Sequence, residues 1–131
     1  NSGARLSKNK NITRNLFMNG SKVFMFSMSE VPRCIKELLK KSNKKIKDID
    51  LFIFHQASKV VIDNIIRRLN LPNEKVFCNY SNVGNTVSAS IPIALKDAIE
   101  NGILKKGKLV MMVGFGVGYS WGATLVKWKG K

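Results

Sequence analysis

Apolar and polar positions along this chain repeat with periods that change abruptly, and each change marks an element. Lys22 to Ser27, reading KVFMFS, predicts a short strand. From Ser29, in an N-cap position, Val31, Cys34, Ile35, Leu38 and Leu39 fall at i, i+3, i+4, i+7 and i+8, the spacing of a helix with one buried stripe. Pro32 falls in the first turn of that helix, where its missing N–H costs little, and Arg33, Lys36, Glu37, Lys40 and Lys41 take the other face. Cys34 is thereby core-facing and expected to be inert. After a basic turn through Lys44, Lys45 and Lys47, Ile49 to Phe54 predicts a strand buried on both faces and ending at His55. A second helix runs from Lys59 to Asn70, with Val61, Ile62, Ile65, Ile66 and Leu69 inward and Lys59, Asp63 and Arg67 outward, and Leu71-Pro72-Asn73 stops it.

Lys75 to Cys78 reads as a strand, with Cys78 a small hydrophobe, and Asn79 to Asn85 as the polar loop leaving it. Thr86 to Asn101 predicts a third helix rich in small residues (Ser88, Ala89, Ser90, Ala94, Ala98), closely packed and kinked by Pro92 in its interior, and Gly102 ends it. Lys108 to Val113 is a strand, Gly114 to Gly118 a glycine-rich loop, and Ser120 to Trp128 a last strand. The order βαβαβαββ predicts an α/β layered domain with a mixed sheet, whose ligand edge lies at the strand carboxyl ends. His55, Asn85 and the Gly114 loop all follow strands, so all three can share that edge.

With 131 residues and 44% apolar content, the chain has the material for one core. Residues 1–19 are polar and aperiodic and read as a linker or the remnant of a preceding region, so residues 20–131 form the domain. The polar start without an initiating Met or apolar leader suggests a chain cut from something longer. Leu109 to Tyr119, the longest candidate membrane span, is broken by glycines at 114, 116 and 118, so no membrane association is expected. Two cysteines without close pairing exclude a zinc knuckle, a redox CxxC and a dense disulfide framework, which points to a reducing cytoplasm. Lysines and arginines outnumber acids 23 to 8, a formal charge of +15, which favours an acidic partner without naming one.

His55 is the only histidine in the chain, held between a buried strand and a helix where an imidazole can be rigid and still face a cleft. By position alone it is a candidate acid, base or hydrogen-bond donor, or simply a structural ring. Gly84-Asn85-Thr86 is a turn into a helix, yet the Asn85 amide can donate two hydrogen bonds to a developing oxyanion. Gly114-Phe115-Gly116-Val117-Gly118 fails the dinucleotide spacing, with Tyr119 or Trp121 where a third glycine belongs and no helix after it. It is either a tight hairpin or a loop that brings a backbone N–H close to a ligand.

Together His55-Gln56-Ala57, Gly84-Asn85-Thr86-Val87-Ser88-Ala89-Ser90-Ile91-Pro92, and Gly114-Phe115-Gly116-Val117-Gly118 with Trp121-Gly122-Ala123 resemble the carboxyl-terminal half of the beta-ketoacyl-ACP synthase III family, which has the thiolase-like fold. The resemblance covers about Gly20 to Trp128 in the family's order, and the 30-residue step from His55 to Asn85 agrees with its spacing. It implies a Cys-His-Asn site in which His55 and Asn85 are the family's His and Asn. The implied substrates are acyl-CoA and malonyl-ACP, with no metal or other cofactor, and the implied reaction is a decarboxylative Claisen condensation in fatty acid biosynthesis. The implied partners are acyl carrier protein, the amino-terminal half of the same enzyme, and a second copy in a full-length homodimer. A neutral imidazole N–H and a carboxamide N–H can together stabilise an enolate without quenching it. The condensation oxyanion would then bind the nucleophile's own N–H and, by motif alignment, that of Val117 in the Gly114, Phe115, Gly116, Gly118 loop.

Departures from the family bear on detail. Ser58 stands where the family commonly has Asn, which alters the support expected for the Asn85 amide. Val60 stands where the carrier-docking helix often has Arg, leaving Lys59, Arg67 and Arg68 to supply positive charge. Neither Cys34 nor Cys78 occupies the nucleophile's place, so the chain alone is expected to be inactive. Two alternatives remain: an acyltransferase of the same fold acting on an amine or alcohol, which would make little use of Asn85, and a basic nucleic-acid-binding module. The second would need exposed aromatics among the lysines, whereas Phe24, Phe26, Phe52 and Phe54 read as buried strand residues. The site reading carries a geometric demand, that the His55 and Asn85 tips lie within about 6 Å on one face of the sheet.

Overall fold

The computed structural model describes residues 18–130. The proposed linker lies outside those residues except for Met18 and Asn19. The first element is a helix, α1, Gly20–Lys41, and not the strand expected over Lys22 to Ser27. A six-residue apolar run is compatible with either period, and here the helical spacing wins because Ser27, Val31, Ile35 and Leu39 continue one buried stripe across it. Asn19 caps the helix, its side chain accepting from Lys22 N–H at 3.0 Å, and Ser27 Oγ donates to the Val23 carbonyl at 2.8 Å. Pro32 consequently sits in the helix interior, so the Met28 carbonyl has no donor four residues on.

Strand β1, Leu51–Phe54, is fully buried and leads through His55 to helix α2, Lys59–Leu69, capped by Ser58 and closed by Asn70 in the left-handed conformation. Strand β2 is Val76–Phe77. The expected polar loop contains a single helical turn, α3, Tyr80–Val83. The expected helix over Thr86 to Asn101 is a 3₁₀ turn, Val87–Ala89, followed by α4, Ser90–Glu100. Pro92 therefore lies in the first turn of α4, where no intrahelical donor is missing, and the expected interior kink has no cause. Strands β3, Leu109–Gly116, and β4, Ser120–Lys127, complete the chain, so the order lacks the first β of βαβαβαββ and is otherwise alternating as expected.

The sheet runs β2-β1-β3-β4, with β1 parallel to both β2 and β3, and β3 antiparallel to β4. Period-two alternation sends Phe52, Phe54, Met111 and Val113 to one face, against Val31 and Ile35 of α1 and Ile62 and Ile65 of α2. Leu51, Ile53 and Val110 point to the other face, against Ala94 and Ala98 of α4 and against Leu104. The result is a three-layer α/β/α unit with a mixed sheet. The small residues of α4, with Ser90, Ala94 and Ala98 buried one turn apart, let that helix lie close to β1.

Candidate active site

The parallel pairing of β1 with β3 places His55 and the glycine loop together. His55 N–H donates to the Val113 carbonyl at 2.8 Å, extending the ladder one residue past β1, and Gly114 is the next residue on the partner strand. The half-buried His55 ring meets Phe115 edge-on, with centroids 5.5 Å apart at 81°. Its Nδ1 lies 2.6 Å from Ser90 Oγ. Burial holds the imidazole pKa below its ordinary value, and the Val87 backbone opposes this by favouring the ring proton. A ring whose pKa lies below its ordinary 6.5 is mostly neutral near pH 7.

Asn85 is exposed and follows Gly84, whose φ of +68° is open only to glycine-like backbone. Its Oδ1 accepts from Val87 N–H at 2.9 Å, a local turn that orients the amide. The two N–H donors of that amide have no acceptor among the described residues. Val87 thus touches both candidates, its N–H engaging Asn85 and its backbone lying against the His55 ring. It does so with φ at +54°, an uncommon value for a β-branched residue.

His55, Asn85, Ser58, Gly114, Phe115, Gly116 and Val117 line one cavity of about 870 Å³, closed on the α1 side by Val23, Phe24 and Ser27. Gly118 lies just outside it. Ser58 Oγ faces Val61 N–H at 3.4 Å as the cap of α2, and among the described residues it makes no hydrogen bond to Asn85. Lys59, Arg67 and Arg68 are exposed on α2, away from the cavity. Lys59 pairs with Asp63 at 2.8 Å, and Arg67 donates to Asn64 Oδ1 at 3.0 Å. Arg67 and Arg68 also border a groove of about 620 Å³ floored by Phe24, Met25 and Met28 between α1 and α2.

Neither cysteine lines the cavity. Burial pushes the Cys34 thiol up and that of Cys78 to about 11, so both are poor nucleophiles near neutrality. No cluster of three or more His, Cys, Asp or Glu able to hold a metal occurs among the described residues. No helix among them is long and apolar enough to cross a membrane. Of the aromatics expected in strands, Phe52 and Phe54 are buried in β1, whereas Phe24 and Phe26 lie on α1, and Phe26 stacks on Tyr119 at 4.5 Å.

Two polar side chains that organise the site went unassigned from sequence. Gln56 is fully buried, donating through Nε2 to the Phe54 carbonyl at 2.8 Å and accepting at Oε1 from Asn79 N–H at 3.0 Å. Asn79 Nδ2 in turn reaches Asp97 Oδ2 of α4 at 2.7 Å, so the turn after β1 is bonded to the segment that leads to Asn85. A Gln directly after a continuous apolar strand is the available signal, since a buried amide needs partners. Ser90 reads as a small packing residue, although it falls on the same helical face as Ala94 and Ala98 and so faces the strand that carries His55.

An α/β/α unit built on this mixed sheet has the layout of a thiolase-like half, and solved structures of that fold match it. The chain overlays beta-ketoacyl-[acyl carrier protein] synthase III from Thermus thermophilus with a TM-score of 0.86 and 39% identity, over 92% of this chain and 37% of that one. The 3-oxoacyl-[acyl-carrier-protein] synthase III of Aquifex aeolicus matches with a TM-score of 0.83 and 39% identity, over 86% of this chain and 36% of that one. The curated beta-ketoacyl-[acyl-carrier-protein] synthase III of Clostridium perfringens is 50% identical over 110 residues, 84% of this chain and 34% of that protein. Its counterpart from Natranaerobius thermophilus is 47% identical over 111 residues, 85% of this chain and 34% of that protein. The family model for the carboxyl-terminal region of 3-oxoacyl-[acyl-carrier-protein] synthase III matches residues 39–128. The chain belongs to the 3-oxoacyl-[acyl-carrier-protein] synthase III family and carries its carboxyl-terminal region. It spans about one third of the length of the curated relatives it matches.

Proposed function

We propose that this chain supplies the decarboxylating half of a condensing enzyme, acting on an acyl-CoA primer and malonyl-ACP, with a cysteine nucleophile contributed by the amino-terminal half. The observation that carries the reading is the convergence of His55 and Asn85 on one cavity, with the Val87 backbone engaging both.

In this reading the cysteine thiolate first takes the acyl group, expelling CoA. Malonyl-ACP then binds with its thioester oxygen between the His55 N–H and an Asn85 Nδ2–H. The bond to the carboxylate breaks, carbon dioxide leaves, and the electron pair spreads onto the thioester oxygen as an enolate. Both donors are neutral, so they stabilise that charge without protonating the carbon. The enolate carbon attacks the acyl-enzyme carbonyl, whose oxyanion is held by backbone N–H groups, that of Val117 among them. Collapse expels the cysteine thiolate and leaves 3-oxoacyl-ACP. Ser58 serves this arrangement indirectly, by anchoring the start of α2 beside His55. The acidic carrier docks on the exposed cations of α2, chiefly Arg67 and Arg68, because Lys59 is already paired with Asp63.

The test is carbon dioxide release from malonyl-ACP by the complete enzyme bearing His55→Ala or Asn85→Ala. Each loss is expected to lower the rate about 10²- to 10³-fold, as removing one preorganised oxyanion donor does, while transfer of the acyl group to the nucleophile is largely preserved. Unchanged carbon dioxide release in either variant refutes the reading.

A further inference from the structure

The Ser90 hydroxyl plays no part in the steps above, yet it is only 1% exposed and its oxygen lies 2.6 Å from His55 Nδ1. Two proton arrangements fit that distance. Either the hydroxyl donates to an unprotonated Nδ1, or Nδ1–H donates to the hydroxyl oxygen. In the second case the hydroxyl proton needs another acceptor, and Ser90 Oγ has no other hydrogen-bond partner among the described residues. The Val87 backbone takes the Ser90 backbone N–H and favours a proton on the His55 ring, and it makes no hydrogen bond with the Ser90 hydroxyl. A buried O–H without an acceptor is costly, so the first arrangement is the satisfied one.

The position of that hydroxyl is set by packing. Ser90 opens α4, and Ala94 and Ala98 on the same face are fully buried against Leu51 and Ile53 of β1, the strand that ends at His55. Helix and histidine are therefore mounted on the same strand, and the oxygen is held in register with the ring. We propose that Ser90 is a positioning residue for His55: its hydroxyl donates to Nδ1, which puts the neutral ring's one proton on Nε2 and presents that N–H to the substrate thioester. The opposite tautomer would offer the enolate oxygen a lone pair.

This inference rests on the decarboxylation reading, and one set of variants separates the two. In the complete enzyme, Ser90→Ala is expected to slow carbon dioxide release from malonyl-ACP by about five- to a hundredfold, the factor that corresponds to losing one buried hydrogen bond. Acyl transfer to the nucleophile should stay within about twofold, and Ser90→Thr, which keeps a hydroxyl, should recover most of the loss. Nitrogen-15 NMR of the imidazole, with the His55 signal assigned by its loss in His55→Gln, should show the proton on Nε2 in the parent and a tautomer mixture in Ser90→Ala. Unchanged carbon dioxide release in Ser90→Ala, equal losses in both half-reactions, or a parent ring protonated on Nδ1 overturns the assignment. If His55→Ala itself leaves carbon dioxide release intact, it is the decarboxylation reading that fails.

Discussion

Replacing Gln56 tests whether a buried amide, and not apolar packing, ties the two sides of the site together. The Gln56 side chain is fully enclosed and serves two backbone groups, the Phe54 carbonyl and the Asn79 N–H, at 2.8 and 3.0 Å. Gln56→Met keeps most of the volume but removes both bonds. Each buried group left unpaired costs about 1–3 kcal/mol, so the variant should lose about 2–6 kcal/mol, a large part of the ~5–15 kcal/mol that holds a typical domain together. Gln56→Ala adds a cavity to the same loss and should be worse by a further 1–2 kcal/mol or so. Urea unfolding of the complete protein, read as a shift in midpoint at unchanged slope, measures both. A Gln56→Met variant within about 0.5 kcal/mol of the parent would refute the reasoning and make Gln56 a spacer. Because Asn79 leads into the segment bearing Asn85, Gln56→Met should also impair carbon dioxide release beyond what its stability loss explains.

The remaining predictions concern the ring and the turn. Burial lowers the His55 pKa from an ordinary 6.5, so on acidification below about that value the unfolded chain takes up a proton that the folded ring resists. Stability should therefore fall as pH drops from 7 through 6.5 toward the folded pKa, and His55→Gln should flatten that part of the profile in denaturant titrations at several pH values. A variant whose profile runs parallel to the parent's would show the ring to be as well solvated folded as unfolded. At Gly118, φ is +152° and an added Cβ would lie 2.7 Å from Ser120 Oγ and 3.3 Å from Ser120 N. Gly118→Ala should cost about 1–3 kcal/mol, whereas Gly122→Ala, with nothing within 4 Å, should cost little. Equal melting temperatures for the two variants would remove the argument.

Much of this architecture was legible because the elements are short and strongly patterned. The second helix was expected over Lys59 to Asn70 and is found as Lys59–Leu69, with Asn70 as its left-handed cap, since its apolar spacing allows no other period. The run before Ser29 is not legible from sequence, because six residues fit a strand or a helix, and what decides is that Ser27 carries the buried stripe of Val31, Ile35 and Leu39 one turn further toward the amino terminus. Pro92 reads as a helix-interior residue for a related reason: the 3₁₀ turn at Val87–Ala89 moves the helix start to Ser90, and backbone angles at Val87 decide that. His55 and Asn85 could be named from their motifs, yet Ser90 and Gln56 could not, because what matters there is which buried partner each polar atom meets across 35 and 23 residues of chain.

The bond from His55 N–H to the Val113 carbonyl has a consequence for how this protein can vary. It joins the imidazole to the strand that delivers the glycine turn, with no loop between them, so their spacing is a property of the ladder alone. The far rim of the molecule, where Lys44 and Lys45 enter β1 and the exposed Lys105 and Lys106 precede β3, lies at the other end of those strands. Insertions there lengthen the approach to each strand without sliding one against the other. That rim is where a fluorophore, an affinity handle or a fused domain can be attached while the reacting end keeps its dimensions.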